Sequence, residues 1–131
     1  MTVIACIDDN NGMLFGGKRQ SRDSKVLEDI QRSFSPVVIL PFSEKMIGAS
    51  GVDYILKDTV DKVRDDETVF LENVDLKTIE NRISRLIIYK WNRKYLSDFK
   101  FNLDLGKYER KSVCDFSGSS HDKITREVYE K

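Results

Sequence analysis

Apolar side chains in this chain fall in short runs, and the spacing within each run indicates the element it builds. Thr2 to Ile7 is nearly continuous in apolar residues, which suits a strand buried on both faces near the centre of a sheet. A polar passage punctuated by Gly12, Gly16 and Gly17 follows, and reads as a loop. From Ser24 the apolar positions Val26, Leu27, Ile30 and Phe34 recur at helical spacing, with Asp23 placed to cap the first turn and Pro36 to end the helix. Val37 to Leu40 is a second buried strand, closed by Pro41, and Val52 to Leu56 is a weaker third. The charged stretch Lys57 to Glu67 reads as a surface loop or short helix. Thr68 to Leu71 returns to strand, Leu76, Ile79 and Ile83 share one face of a short helix, and Leu86 to Tyr89 forms the next strand.

The end of the chain has a different rhythm. Phe99 to Leu105, Tyr108 to Phe116 and Ile124 to Tyr129 are separated by turn residues including Gly106 and Gly118-Ser119-Ser120, which predicts antiparallel strands. The pattern predicts an α/β fold: one domain over residues 1–131, with a mixed, mostly parallel sheet, flanking helices and an antiparallel C-terminal portion.

Composition narrows the function classes. A chain of 131 residues, 40% hydrophobic, has enough material for one core and one domain. Lys plus Arg and Asp plus Glu balance at 22 each, so no overall field draws the protein to nucleic acid or an anionic membrane, and any such contact must be local. The sequence has no secretory pattern and no apolar run of the roughly 20 residues a membrane helix needs, which predicts a cytoplasmic protein. Cys6 and Cys114 read as core or half-buried thiols. With one histidine, His121, and no Cys-x-x-Cys, ordinary zinc ligand spacing is missing, so no metal is expected.

Three polar clusters carry candidate chemistry. The first loop offers Asp8, Asp9, Asn10 and Asn11, then Arg19, Arg22 and Asp23, where carboxylates and guanidiniums could surround a crevice mouth. Asp-Asn-Asn-Gly is also ordinary turn chemistry, whereas no turn requires Arg19-Gln20-Ser21-Arg22. Lys90-Trp91-Asn92-Arg93-Lys94-Tyr95 mixes basic and aromatic groups, as ligand-stacking surfaces do, and as aromatics do when they pack under charged stems. Gly118 to Lys123 reads as a hairpin turn. His121 within it could serve as an acid or base, although its neighbour Ser120 is poorly placed by sequence adjacency to act with it on one substrate.

The order of these segments resembles the dihydrofolate reductases. The first strand, Asp9-Asn10-Asn11-Gly12-Met13, Gly17-Lys18 and a helix carrying Glu28-Asp29-Ile30 and Phe34 resemble the start of that family. Pro36 to Ile39, Thr68 to Leu71, Arg85 to Tyr89 and the closing Glu127 to Lys131 are similar to its later strands. The resemblance implies the reductase fold and matches Asp29 to the substrate-binding carboxylate. Read from the residues alone, Glu28 and Asp29 also suit the wet side of an amphipathic helix. Three departures bear on chemistry. Arg19-Gln20-Ser21 stand where the family has a proline and a tryptophan, Glu72-Asn73 where it has a Gly-Gly pair beside the cofactor pyrophosphate, and Leu40-Pro41-Phe42 where it has basic residues. The region between the second and later strands is also short. These departures imply a relative without NADPH, without any other cofactor and without dihydrofolate reductase activity.

The chain also resembles short bacterial proteins often labelled ribonuclease Z, although the genuine enzyme is a two-zinc hydrolase rich in histidine. The candidate catalytic groups are Asp29 and His121. The candidate ligand-binding residues are Asp9, Asn11, Arg19, Arg22, Glu72, Asn73, Trp91 and Arg93. The leading expectation is a reductase-like domain that binds a small polar or nucleotide-like ligand or a protein partner. The alternatives are a metal-independent nuclease or phosphodiesterase using His121 with arginines, or a non-enzymatic interaction protein.

Overall fold

A computed structural model describes residues 1–131. Strand β1 (Thr2–Ile7) lies inside a seven-stranded sheet. Beside it in space order are β5 (Tyr54–Leu56), β4 (Val37–Ile39) and β6 (Thr68–Phe70) on one side, and β7 (Arg85–Lys90), β10 (Ile124–Glu130) and β9 (Glu109–Phe116) on the other. β1 pairs in parallel with both β6 and β7, and β10 runs antiparallel to β7 and β9. Period-two alternation divides the core between the two faces. Val3, Ala5, Ile7, Leu86 and Ile88 point to one face, under the 3₁₀ segment Leu76–Arg82 and its buried Leu76 and Ile79. Ile4, Ile39, Phe70, Ile87 and Tyr89 point to the other, under helices α1 (Ser24–Phe34) and α2 (Pro41–Gly48).

The mixed sheet, the buried first strand and α1 with its Asp23 cap agree with the sequence pattern. Four local features differ. Pro41 does not merely close a strand: it opens α2, as a residue with fixed φ and no N–H suits the first helical turn, and Met46 and Ile47 bury the helix. The first loop contains a hairpin, β2 (Gly12–Phe15) and β3 (Lys18–Arg19), turned by Gly16 and Gly17 at φ 59° and 74°. Positive φ at both central residues gives a turn whose twist fits the flanking strands. Only Phe99–Lys100 of the expected strand Phe99 to Leu105 pairs, forming β8 against β2 in a separate three-stranded sheet. It stops because the Asp104 carboxylate takes the Gly106 N–H and starts a 3₁₀ turn. The helix of Leu76 to Ile83 is 3₁₀ rather than α.

After β1, the chain crosses to β4 and β5 before returning to β6, so the carboxyl ends of β1 and β6 lie beside a change of direction. Ligands of open α/β sheets bind at such a place. No helix is long and apolar enough to cross a membrane.

Ile88 is fully buried in the larger core. Ile88→Ala is expected to cost about 3 kcal/mol of unfolding free energy, from lost burial and the cavity left behind. Urea denaturation checks this, and a loss below about 1 kcal/mol would show that the site collapses around the smaller side chain.

Candidate functional site

The carboxyl ends of β1, β6 and β7 open into a narrow crevice. Its apolar walls include Val26 and Leu27 from α1, Met46 from α2, Phe70 from β6 and Trp91 after β7. Its polar side is Arg19, Gln20, Ser21, Arg22 and Asp23, the segment joining β3 to α1, together with Glu72.

Two carboxylates fix that segment. Asp8, buried at the end of β1, accepts the N–H groups of Asn10 (2.9 Å), Gly12 (2.7 Å) and Tyr95 (3.0 Å), and the Gln20 amide (3.0 Å). Burial pushes the Asp8 carboxyl up, and these donors outweigh it and hold it below the usual range. Asp23 does more. Its carboxylate accepts six hydrogen bonds: from the Lys25 N–H that it caps, from the N–H and hydroxyl of both Ser119 and Ser120, and from His121 Nδ1 at 2.9 Å. Burial pushes this carboxyl up too, yet the donors from Ser119, His121, Ser120 and Lys25 hold it far below the usual range. The turn between β9 and β10 is thereby sewn to the start of α1. Gly118 makes the close approach, since a Cβ there would lie 2.5 Å from Asp23 Oδ2 and 2.7 Å from the His121 carbonyl oxygen.

His121 is enclosed, its side chain 1% exposed and stacked on Trp91 with ring centroids 4.7 Å apart. Nδ1 facing the Asp23 carboxylate must carry the proton in the neutral ring, which leaves Nε2 an acceptor. Two hydroxyls converge on Nε2, Tyr95 Oη at 2.9 Å and Ser21 Oγ at 3.1 Å.

Arg19 reaches from β3 to the end of β6. Its Nε and Nη2 bond Glu72 at 2.8 and 2.7 Å, and the Ser43 hydroxyl adds a third bond to Glu72 at 2.7 Å. The hydrogen bonds to Glu72 raise the Arg19 pKa further. Cys6 lines the crevice floor, where burial, with Glu72 nearby, pushes its thiol well above its ordinary range, so it supplies no thiolate.

The sequence candidates divide accordingly. Arg19, Arg22, Glu72 and Trp91 meet in the crevice, and His121 stands behind it against Trp91 and Ser21. Asp9 and Asn11 lie in the exposed turn after β1, Asn11 at φ 61° as turn chemistry requires, and neither lines the crevice. Asn73 and Arg93 are exposed and also outside it, so Arg93 does not converge with His121. Asp29 is not in the lining. It is buried against β7 and β10, bonded to Tyr89 Oη (2.6 Å), Arg126 Nη1 (2.6 Å) and Arg32 (2.9 Å). The α1 carboxylate at the crevice is Asp23, visible in the sequence only as a cap. Ser21 and Tyr95 had no signal of their own, because their meeting with His121 spans separations of 100 and 26 residues. No group of three or more His, Cys, Asp or Glu side chains is arranged to hold a metal ion.

Sheet order, the crevice at the ends of β1 and β6 and the antiparallel C-terminal hairpin together define a dihydrofolate reductase-like fold. Dihydrofolate reductase from Enterococcus faecalis, solved in complex with NADP(H) and RAB-propyl, matches with a TM-score of 0.68 at 12% identity, over 98% of this chain and 94% of that one. At that identity the likeness establishes the fold. No family model and no curated protein matches the sequence.

Asp23→Ala removes a buried acceptor with six donors and is expected to cost about 3 kcal/mol. The folded carboxyl sits below its unfolded value of about 3.9, so its contribution is complete above that value and fades as pH falls toward the folded one. Denaturant titrations of the two proteins should therefore differ by a constant amount above about pH 5 and converge below about pH 4.

Proposed function

We propose that this protein is a reductase-fold domain that binds a small polar ligand in the crevice and does not use NADPH. The observation that carries the reading is the Arg19–Glu72 pair, held by Ser43 at the end of β6. A free carboxylate there would simply repel a pyrophosphate, but Glu72 is neutralised by a bidentate guanidinium. The obstacle is the pair itself. Its Arg19 and Glu72 side chains are 27% and 10% exposed, and a ligand that displaces the guanidinium gives up two charge-assisted hydrogen bonds, each worth about 1.5–3 kcal/mol net, which weakens it by more than about tenfold. The next turn offers no relief. Asp75 caps the 3₁₀ segment with its own carboxylate, taking the Lys77 N–H that a phosphate would need.

The crevice lining also supports a ligand chemistry. Arg22 is exposed and makes no ion pair, so it is free to meet an anionic group. Gln20 has its amide nitrogen bonded to Asp8 and to the Leu96 carbonyl, while its buried Oε1 accepts nothing. The apolar wall of Trp91, Phe70 and Leu27 with Arg22 beside it suits a compact, partly apolar molecule with one anionic end.

NADPH followed by fluorescence is expected to bind no tighter than about 1 mM, and micromolar binding would contradict the reading. A thermal-shift screen of small heterocyclic carboxylates and mononucleotides should give a stabilising hit. At a hundred times its Kd such a hit adds about 2.7 kcal/mol, and Arg22→Ala should remove most of it.

A further inference from the structure

We propose that Ser21, His121 and Asp23 form a nucleophilic relay, and that the crevice accepts a small carboxylic ester whose acyl group is transferred to Ser21 and then to water. This rests on the crevice being open to small molecules, as proposed above, and adds an activity to it.

The geometry satisfies each role separately. Asp23 Oδ2 lies 2.9 Å from His121 Nδ1, with the remaining acceptor capacity of the carboxylate filled by Ser119, Ser120 and Lys25, so the group is ionised and cannot swing away. It fixes the tautomer in which Nε2 is a bare acceptor. Trp91 holds the ring plane by stacking. Ser21 Oγ lies 3.1 Å from that nitrogen and its residue lines the crevice, so the nucleophile is reachable while its base is shielded from water.

A developing oxyanion also has donors at hand. The main-chain N–H groups of Ser21 and Arg22 donate to no acceptor in the protein, although they lie in the same crevice-lining turn. The apolar walls Leu27, Met46 and Phe70 suit a short acyl chain, and Arg22 suits an anionic portion of the leaving alcohol. A purely structural histidine needs Asp23, but it does not need its second nitrogen aimed at a serine hydroxyl on a cavity wall.

In the reaction, Ser21 Oγ bonds to the ester carbonyl carbon while its proton passes to His121 Nε2. The tetrahedral adduct expels the alkoxide, which takes that proton and departs as the alcohol. Water then attacks the acyl-Ser21 carbonyl, giving its proton to Nε2, and the carboxylic acid leaves as Ser21 recovers its proton. Tyr95 Oη also lies against Nε2, so its hydroxyl competes with Ser21 for the single lone pair.

The test is covalent labelling of the full chain with a fluorophosphonate, read by peptide mass, together with the burst of p-nitrophenolate from p-nitrophenyl acetate. Folded protein is expected to carry one adduct, on Ser21, which urea-unfolded protein lacks. Ser21→Ala should abolish the adduct and the burst, and His121→Gln should slow labelling about a hundredfold. Should His121→Gln fail to fold, Asp23→Asn keeps an acceptor at the helix cap and should slow labelling at least about tenfold. Absence of an adduct on folded protein, an adduct elsewhere, or a Ser21 rate indifferent to both His121→Gln and Asp23→Asn would overturn the relay. None of these outcomes alters the NADPH titration, so the two proposals fail separately.

Discussion

The carboxylate of Asp23 is the constraint on which the site depends. It caps α1, receives both serines of the β9–β10 turn and orients His121 in that same turn, so two segments nearly a hundred residues apart share one buried anion. A charge removed from water in this way is costly unless its lone pairs are filled, and here they are filled from two directions. The consequence is geometric. The start of α1, the hairpin turn and the imidazole are tied to one another, and stacking on Trp91 joins the ring to the segment after β7.

Asp8 performs the matching task on the other side of that wall, holding Gln20 and the Tyr95 main chain to the end of β1. Between these two anchors the β3–α1 segment is stretched across the crevice, and Arg19 bridges its start to Glu72, two residues past β6. The backbone has a reductase-like layout. The Arg19–Glu72 pair closes the end of β6, and hydroxyl and imidazole groups stand along the β3–α1 side of the crevice.

Much of the scaffold was legible from periodicity, because β1, β4, β6 and β7 are buried on both faces and read as apolar runs. Helix α2 is less legible, because a proline after an apolar run suits the end of a strand as well as a first helical turn. The β2–β3 hairpin carries a Gly16-Gly17 signal, but glycine in a polar stretch suits an open loop as well as a two-residue turn. The site was less legible for a different reason. Arg19, Glu72 and Trp91 could be singled out by composition and resemblance, but Asp29 and Asp23 share the same helix, and only tertiary contacts decide which carboxylate meets the crevice. Asp29 is claimed by Tyr89 and Arg126, neither of which periodicity places beside it. Ser21 meets His121 across 100 residues of chain, and no local pattern encodes that contact.

The central claim is that one directed chain of hydrogen bonds runs from Asp23 through His121 to the hydroxyls of Ser21 and Tyr95. Long-range proton–nitrogen NMR of the imidazole at mildly alkaline pH tests it directly, because the two ring nitrogens shift by very different amounts when protonated. The account predicts the Nδ1–H tautomer with Nε2 as a bare acceptor. An Nε2–H tautomer would place a lone pair against the Asp23 carboxylate and contradict it.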